Sequence, residues 1–177
     1  MWKALAMRVR VREGRVSLRI FTVSGALVLV CLALSPFRVG AETRLPAARD
    51  LAGDAASISR DGRVLLVLFS QHGCPWCERV RREFLLPIQK NESYTSRLVF
   101  RQIDLDRGTP LRDFGGKATT HADFGRMNGV TLYPTVMLFG PRGERLAEPL
   151  RGFTGSDFYG AYLDQRIEEA VGGLRRQ

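Results

Sequence analysis

Gln71-His72-Gly73-Cys74-Pro75-Trp76-Cys77-Glu78 is the stretch on which the reading of this chain turns. Before it runs Val64 to Phe69, apolar throughout and closed by Ser70. After it comes Glu78 to Gln89, charged and amphipathic. Two cysteines therefore stand where a strand becomes a helix. The first amides of a helix have no intrahelical partner and carry partial positive charge. A thiolate at that end is stabilised, and its pKa falls below the free value of about 8.5. Pro75 suits the first helical position, where an N–H would go unpaired anyway. Cys77 lies three residues on, which returns its sulfur to the same helix face. A disulfide can close within that one turn. The order makes Cys74 the exposed, attacking thiol and Cys77 the buried, resolving one.

The pair has two other readings. Structural zinc wants four ligands, and the chain offers only His72 and His121 besides Cys74 and Cys77. Cys31 lies in an N-terminal apolar run. A purely structural cysteine pair is the second. The strand-then-helix placement favours redox chemistry over both.

Outward toward the N-terminus, residues 1–41 read as an export signal. Arg8, Arg10, Arg12, Arg15 and Arg19 make a positive segment, and Ile20 to Leu34 is an apolar run of fifteen residues. Pro36 breaks the run, and Val39-Gly40-Ala41 fits a small-residue cleavage site before Glu42. The run is shorter than the roughly 20 residues of a spanning helix. Left uncleaved, the leader would be an N-terminal anchor. Residues 42–177 then form one domain. The net charge of +9 belongs mostly to the leader, which holds seven Lys/Arg against one Glu. The remainder, with twenty Lys/Arg against seventeen Asp/Glu, has no basic stripe, and nucleic acid is excluded as a partner. In an oxidising compartment, a single cysteine pair is no disulfide scaffold.

Residues 42–62 read as a lead-in helix, with Leu45, Leu51, Ala55 and Ile58 at near-helical spacing and Asp61-Gly62 at its end. Arg63 to Ser70 is a central strand buried on both faces. In the helix that follows, Val80, Phe84, Leu85 and Ile88 face in, Arg79, Arg81, Arg82 and Glu83 face out, and Pro87 kinks or ends it. Asn91 to Ser96 is a polar connection. Leu98 to Leu105 alternates as a second strand, parallel to the first. Arg107 to Lys117 reads as a loop, and Thr120 to Met127 as a short helix that Thr120 caps and Asn128-Gly129 stops. Val130 to Phe139 is a strand entered through Pro134, and Glu144 to Leu150 its hairpin partner across Gly140–Gly143. A last helix, Ser156 to Val171, buries Phe158, Tyr162, Ile167 and Val171, with Ser156 or Asp157 as cap.

Cys74-Pro75-Trp76-Cys77 after a buried strand, with Tyr133-Pro134-Thr135 before a hairpin and a final helix, resembles the thioredoxin superfamily. The resemblance spans residues 46–171. Within the superfamily it is most similar to exported proteins of bacterial sulfur oxidation and cytochrome maturation. It implies an α/β, thioredoxin-like fold, a central mixed sheet of about four strands flanked by helices. It implies that Pro134 is cis and lies against the dithiol, and that Trp76, Tyr133 and Pro134 meet the substrate. One departure stands out. Thioredoxins carry a buried aspartate six residues before the first cysteine, and here that position is Leu68. Pro75 and His72 are expected to modulate Cys74, His72 by stabilising the thiolate when protonated. Glu78 reads as a solvated carboxylate, Asp104 and Asp106 as loop formers, and His121 as a surface residue.

The expected function is that of an exported thiol–disulfide oxidoreductase. It would reduce disulfides of periplasmic partner proteins through Cys74 and Cys77, as a monomer supplied with electrons by a membrane protein. No cofactor beyond the redox-active disulfide and no resident metal is expected, since the sequence has no flavin or nicotinamide motif. The alternatives are a thioredoxin-like module that binds copper or zinc, and a regulatory binding module without turnover.

Overall fold

The computed structural model describes residues 44–176. The leader expected over residues 1–41 lies outside them. The first strand, β1 (Val64–Ser70), is buried at every position. Its side chains alternate between two faces, and each face is covered. Leu66 and Leu68 join one core with Val80, Leu85, Tyr159, Leu163 and Ile167. Leu65, Val67 and Phe69 join the other with Leu51, Ile58, Phe124 and Phe139. Burial of each such side chain contributes about 1.5–3 kcal/mol. This double cover is why the strand is apolar without a break.

The sheet is mixed, as expected. β2 (Leu98–Asp104) runs parallel to β1, from Val64↔Leu98 to Ser70↔Asp104. β5 (Thr135–Phe139) runs antiparallel on the other side of β1, and β6 (Leu150–Arg151) pairs with β5. The strand order is β2-β1-β5-β6. Helices α1 (Leu51–Asp61), α2 (Pro75–Val80), α3 (Leu86–Gln89), α4 (Glu92–Thr95), α5 (His121–Met127) and α6 (Ser156–Arg175) flank it.

Several boundaries differ from the sequence reading. The lead-in helix starts at Leu51, because the Asp50 carboxylate accepts the Gly53 N–H at 3.0 Å and caps it there. The residues before it are extended along β2. The Gln102 N–H donates to the Pro46 C=O, and the Ala48 N–H to the Gln102 C=O, both at 2.8 Å. Arg107 to Lys117 is not all loop. It contributes β3 (Pro110–Arg112), paired with β4 (Ala118–Thr120). The strand expected from Val130 begins only at Thr135, and the arm expected from Glu144 touches β5 at one bridge, Phe139↔Arg145, before β6. Pro149 has no N–H with which to continue that ladder. The polar connection after residue 90 is a helical turn capped by Asn91.

Pro87 neither ends nor breaks the helix behind the cysteines. A π-helical turn over Arg81–Leu85 joins α2 to α3, and the Leu86 N–H bonds the Arg81 C=O five residues back. The turn is widened immediately before Pro87, which has no N–H with which to continue the ladder. In α6 the buried residues are Tyr159, Leu163, Ile167, Ala170 and Val171, whereas Phe158 and Tyr162 are exposed. The expected stripe was out of phase by one residue at its start. Gly155 occupies the N-cap, and neither Ser156 nor Asp157 caps the helix through its side chain.

Candidate active site

Gly73 sets the site up. Its φ of 69° lies in the left-handed region, where glycine has no Cβ to clash. The chain thereby leaves β1 and places Cys74, in an extended conformation, at the N-cap of α2, with Pro75 at the first helical position. The Cys77 N–H donates to the Cys74 Sγ at 3.1 Å. A disulfide joins the two cysteines across a Cα separation of 5.3 Å. Cys77 is wholly buried and Cys74 half-buried.

Two different surfaces flank Cys74. One is a polar cleft of about 210 Å³, lined by His72, Cys74, Pro75, Glu78, Arg81, Asp104 and Arg107 with Arg44 at its side. The other is apolar. Trp76, 53% exposed, stacks on Phe153 at 5.6 Å between ring centroids. Phe153 follows Gly152, whose N–H donates to the Pro134 C=O at 2.7 Å. Trp76 is thus tied to the Tyr133–Pro134 turn through two adjoining residues. The Tyr133–Pro134 peptide bond is cis. Pro134 is buried, and the Tyr133 ring lines a separate hollow with Leu105, Ala122, Arg126 and Val130. Of the expected site residues, His72, Cys74 and Pro75 share the polar cleft, Trp76 stands on the apolar side, and the Tyr133 side chain joins neither.

His72 is exposed. Its backbone N–H donates to the Asp106 carboxylate at 3.1 Å, and its Nδ1 lies 3.4 Å from the Arg107 guanidinium. With Arg107 donating, that nitrogen is the unprotonated one. Asp106 therefore holds the loop just before Cys74 and is more than a loop former.

His121 is a correction. It is buried, with 1% of its surface exposed. Its Nδ1 accepts the Asp104 N–H at 3.0 Å, and its Nε2 lies 2.7 Å from the Ala48 C=O, to which it donates. Both nitrogens are engaged by backbone, one at the end of β2 and one in the segment before α1, so the set Cys74/Cys77/His72/His121 is not assembled. Among the described residues, no group of three His, Cys, Asp or Glu side chains is placed to hold a metal ion.

Arg81 is the second correction and the residue that sequence reasoning missed. It was expected to face solvent, yet it is 4% exposed. The Nε donates to the Gln102 Oε1 at 2.9 Å, one terminal nitrogen to the Ser70 Oγ at 3.3 Å, and the other to the Glu78 carboxylate. Gln102 in turn donates to the Asp104 carboxylate at 2.6 Å. The signal was present in the spacing. Arg81 stands four residues after Cys77, on the same helix face, and helical side chains lean back over the preceding turn. Glu78 is half-exposed and paired with Arg81, so it is not a free solvated carboxylate. Leu68, at the position of the thioredoxin aspartate, is fully buried in the apolar core.

The thioredoxin-like domain family matches residues 51–167 of this chain. No curated protein sequence matches it. Among solved structures, the DsbH oxidoreductase is similar at 14% identity over 73% of this chain and 87% of that one, with a TM-score of 0.53. Thioredoxin from Fasciola hepatica is similar at 16% identity over 71% and 99% of the two chains, with a TM-score of 0.50. At these identities the likeness is one of fold.

Proposed function

From the premise that this chain belongs to the thioredoxin-like domain family and is a thiol–disulfide oxidoreductase, we propose that it is an exported reductant of protein disulfides acting through Cys74 and Cys77. The observation that carries the reading is the redox pair itself. A half-buried cysteine accepts a helix-terminal N–H and is bonded to a fully buried one at a strand-to-helix junction.

The reaction runs in two exchanges. The Cys74 thiolate attacks one sulfur of a substrate disulfide. The substrate S–S bond breaks, and the first substrate thiolate leaves and takes a proton from solvent. The Cys77 thiol then loses its proton and attacks the Cys74 Sγ. The mixed disulfide breaks, the second substrate thiol leaves, and Cys74–Cys77 is oxidised. Two electrons have passed to the substrate.

The apolar side, Trp76 and Phe153 beside the Pro134 turn, supports a protein segment as the substrate. Among the described residues the Tyr133 N–H and C=O have no hydrogen-bond partner, which leaves them open to an extended substrate strand. The Arg-rich segment and apolar run of residues 1–41 support export to the periplasm, cleaved or as an anchor. An exported reductant must be reduced again, and a membrane protein passing electrons from the cytoplasm meets that need. The dithiol carries the electrons itself, without flavin or nicotinamide, and the domain acts as a monomer.

The test is the redox equilibrium of the purified chain against glutathione, read by thiol alkylation and mass. A potential near −270 mV supports a reductant, and one nearer −120 to −180 mV an oxidant or isomerase. If Cys74 and Cys77 never exchange with glutathione, the redox reading fails.

A further inference from the structure

Among the described residues, Arg81 is the one buried side chain that carries a permanent charge. A charge is rarely buried unless it is paired. Two of its three partners, Gln102 and Ser70, are neutral and hold it in place. The third, Glu78, is the only carboxylate on it, and its side chain is 51% exposed. All of this lies at the active-site end of the molecule. Arg81 and Glu78 line the same small cleft as Cys74, and the Arg81 backbone N–H bonds the Cys77 C=O one helical turn before it.

Resting on the reading of Cys74 as the attacking thiol, we propose that Arg81 is a positioning residue that fixes the charge felt by the Cys74 sulfur, with Glu78 as the opposing adjustment. Leu68 leaves no acid within the core at that strand position, and the buried charge beside the site is the Arg81 cation. A positive charge near Cys74 favours the thiolate, hence the reduced protein, and makes the disulfide more oxidising. The Glu78 carboxylate offsets that charge. The other charged and titratable groups around the cleft are Arg44, His72, Arg107 and Asp104, with Asp106 beside His72. Arg44 lies 3.9 Å from Asp104, and Arg107 bonds His72. None of them is buried, so water screens them more than Arg81.

The two partners therefore act with opposite sign, which loss of structure alone would not produce. The test measures the equilibrium of the full chain with glutathione for the wild type, Arg81→Met, Arg81→Lys and Glu78→Gln. Arg81→Met should shift the equilibrium at least tenfold toward the protein disulfide, about 30 mV more negative. Glu78→Gln should shift it severalfold toward the dithiol, and Arg81→Lys should stay near the wild type. If Arg81→Met does not fold, the Glu78→Gln shift and its direction decide alone. Equal potentials for wild type, Arg81→Met and Glu78→Gln, or shifts of the same sign, would overturn the assignment while leaving the exchange reaction standing. A wild type that does not equilibrate with glutathione would instead overturn the reading on which it rests.

Discussion

The backbone N–H of Cys77 points at the sulfur of Cys74 from 3.1 Å. The same amide that lacks a partner within the helix is thus the donor for the reactive atom. Its hydrogen bond strengthens when that sulfur is an anion. The Cys74 thiol is therefore expected to be more acidic than a free cysteine, ~8.5. Thiolate absorbance of the Cys77→Ser variant across pH measures it. A titration at or above the free value would mean that the N-cap does not activate the sulfur.

The burial of the two cysteines separates their roles. Cys77→Ser leaves the half-buried Cys74 able to attack and nothing to release the product. Mixed disulfides with substrate should accumulate on Cys74 and be visible on non-reducing gels. Cys74→Ser should form none, because Cys77 is wholly buried. Both variants should lose catalytic reduction of a protein disulfide down to background. Adducts of equal yield through Cys77 would reverse the assignment.

His121 makes a stability prediction. It satisfies the Asp104 N–H and the Ala48 C=O, and so ties the segment before α1 to the end of β2. His121→Ala leaves one buried and one part-buried backbone group unpaired, at about 1–3 kcal/mol each. Urea unfolding followed by circular dichroism should show a loss of about 2–6 kcal/mol. A change under 0.5 kcal/mol, roughly the scale of a surface substitution, would mean that water replaces the ring.

Much of this architecture was legible in the sequence, and the two misread polar residues share one cause. The unbroken apolar run of Val64 to Phe69 identified the central strand because burial on both faces leaves no polar position. The cysteine pair was legible because its spacing and its junction are local. Arg81 and His121 were misread because each is a polar residue whose partners lie far away in sequence. Gln102 is twenty-one residues from Arg81, and Ala48 seventy-three from His121. A hydropathy pattern assigns such residues to solvent. Only the tertiary fold supplies the carbonyls and amides that let them enter. The phase slip at Phe158 and Tyr162 has a different origin. Those two rings lie four residues apart on α6, the interval at which buried residues recur along a helix. They form an apolar exposed pair beside the true stripe at Tyr159 and Leu163.

Tyr159 gives a prediction at high pH. Its ring packs between Phe84 and Phe153, and among the described residues its hydroxyl has no hydrogen-bond partner. Burial holds that hydroxyl protonated well above the usual tyrosine range. Unfolded tyrosine ionises near ~10. The contribution of the neutral, buried ring is therefore complete below about pH 10 and declines as pH rises above it, while the unfolded chain loses its proton first. Tyr159→Phe removes both the unpaired hydroxyl and this slope. The variant should be more stable by about 1 kcal/mol at neutral pH. Its alkaline unfolding should be shallower, though not flat. Tyr94, raised by its hydrogen bond to Asp164, still titrates. Destabilisation of the Phe variant at neutral pH would show that the hydroxyl has a partner in solution.

The extended residues before α1 bear on how this protein meets other copies of itself. β2 is the last strand on its side of the sheet, and a bare last strand offers its free amides and carbonyls to any neighbouring chain. Here Pro46 and Ala48 occupy the backbone of Gln102 in the manner of one more strand. Residues 46–48, which belong to no regular element, thus act as a stopper on the open side of the sheet at Gln102. A chain cut back to Leu51 would keep both cysteines but take Leu45 from one core and Ala48 from the other, and expose that side. The uncovered strand would then offer a route to self-association by strand pairing.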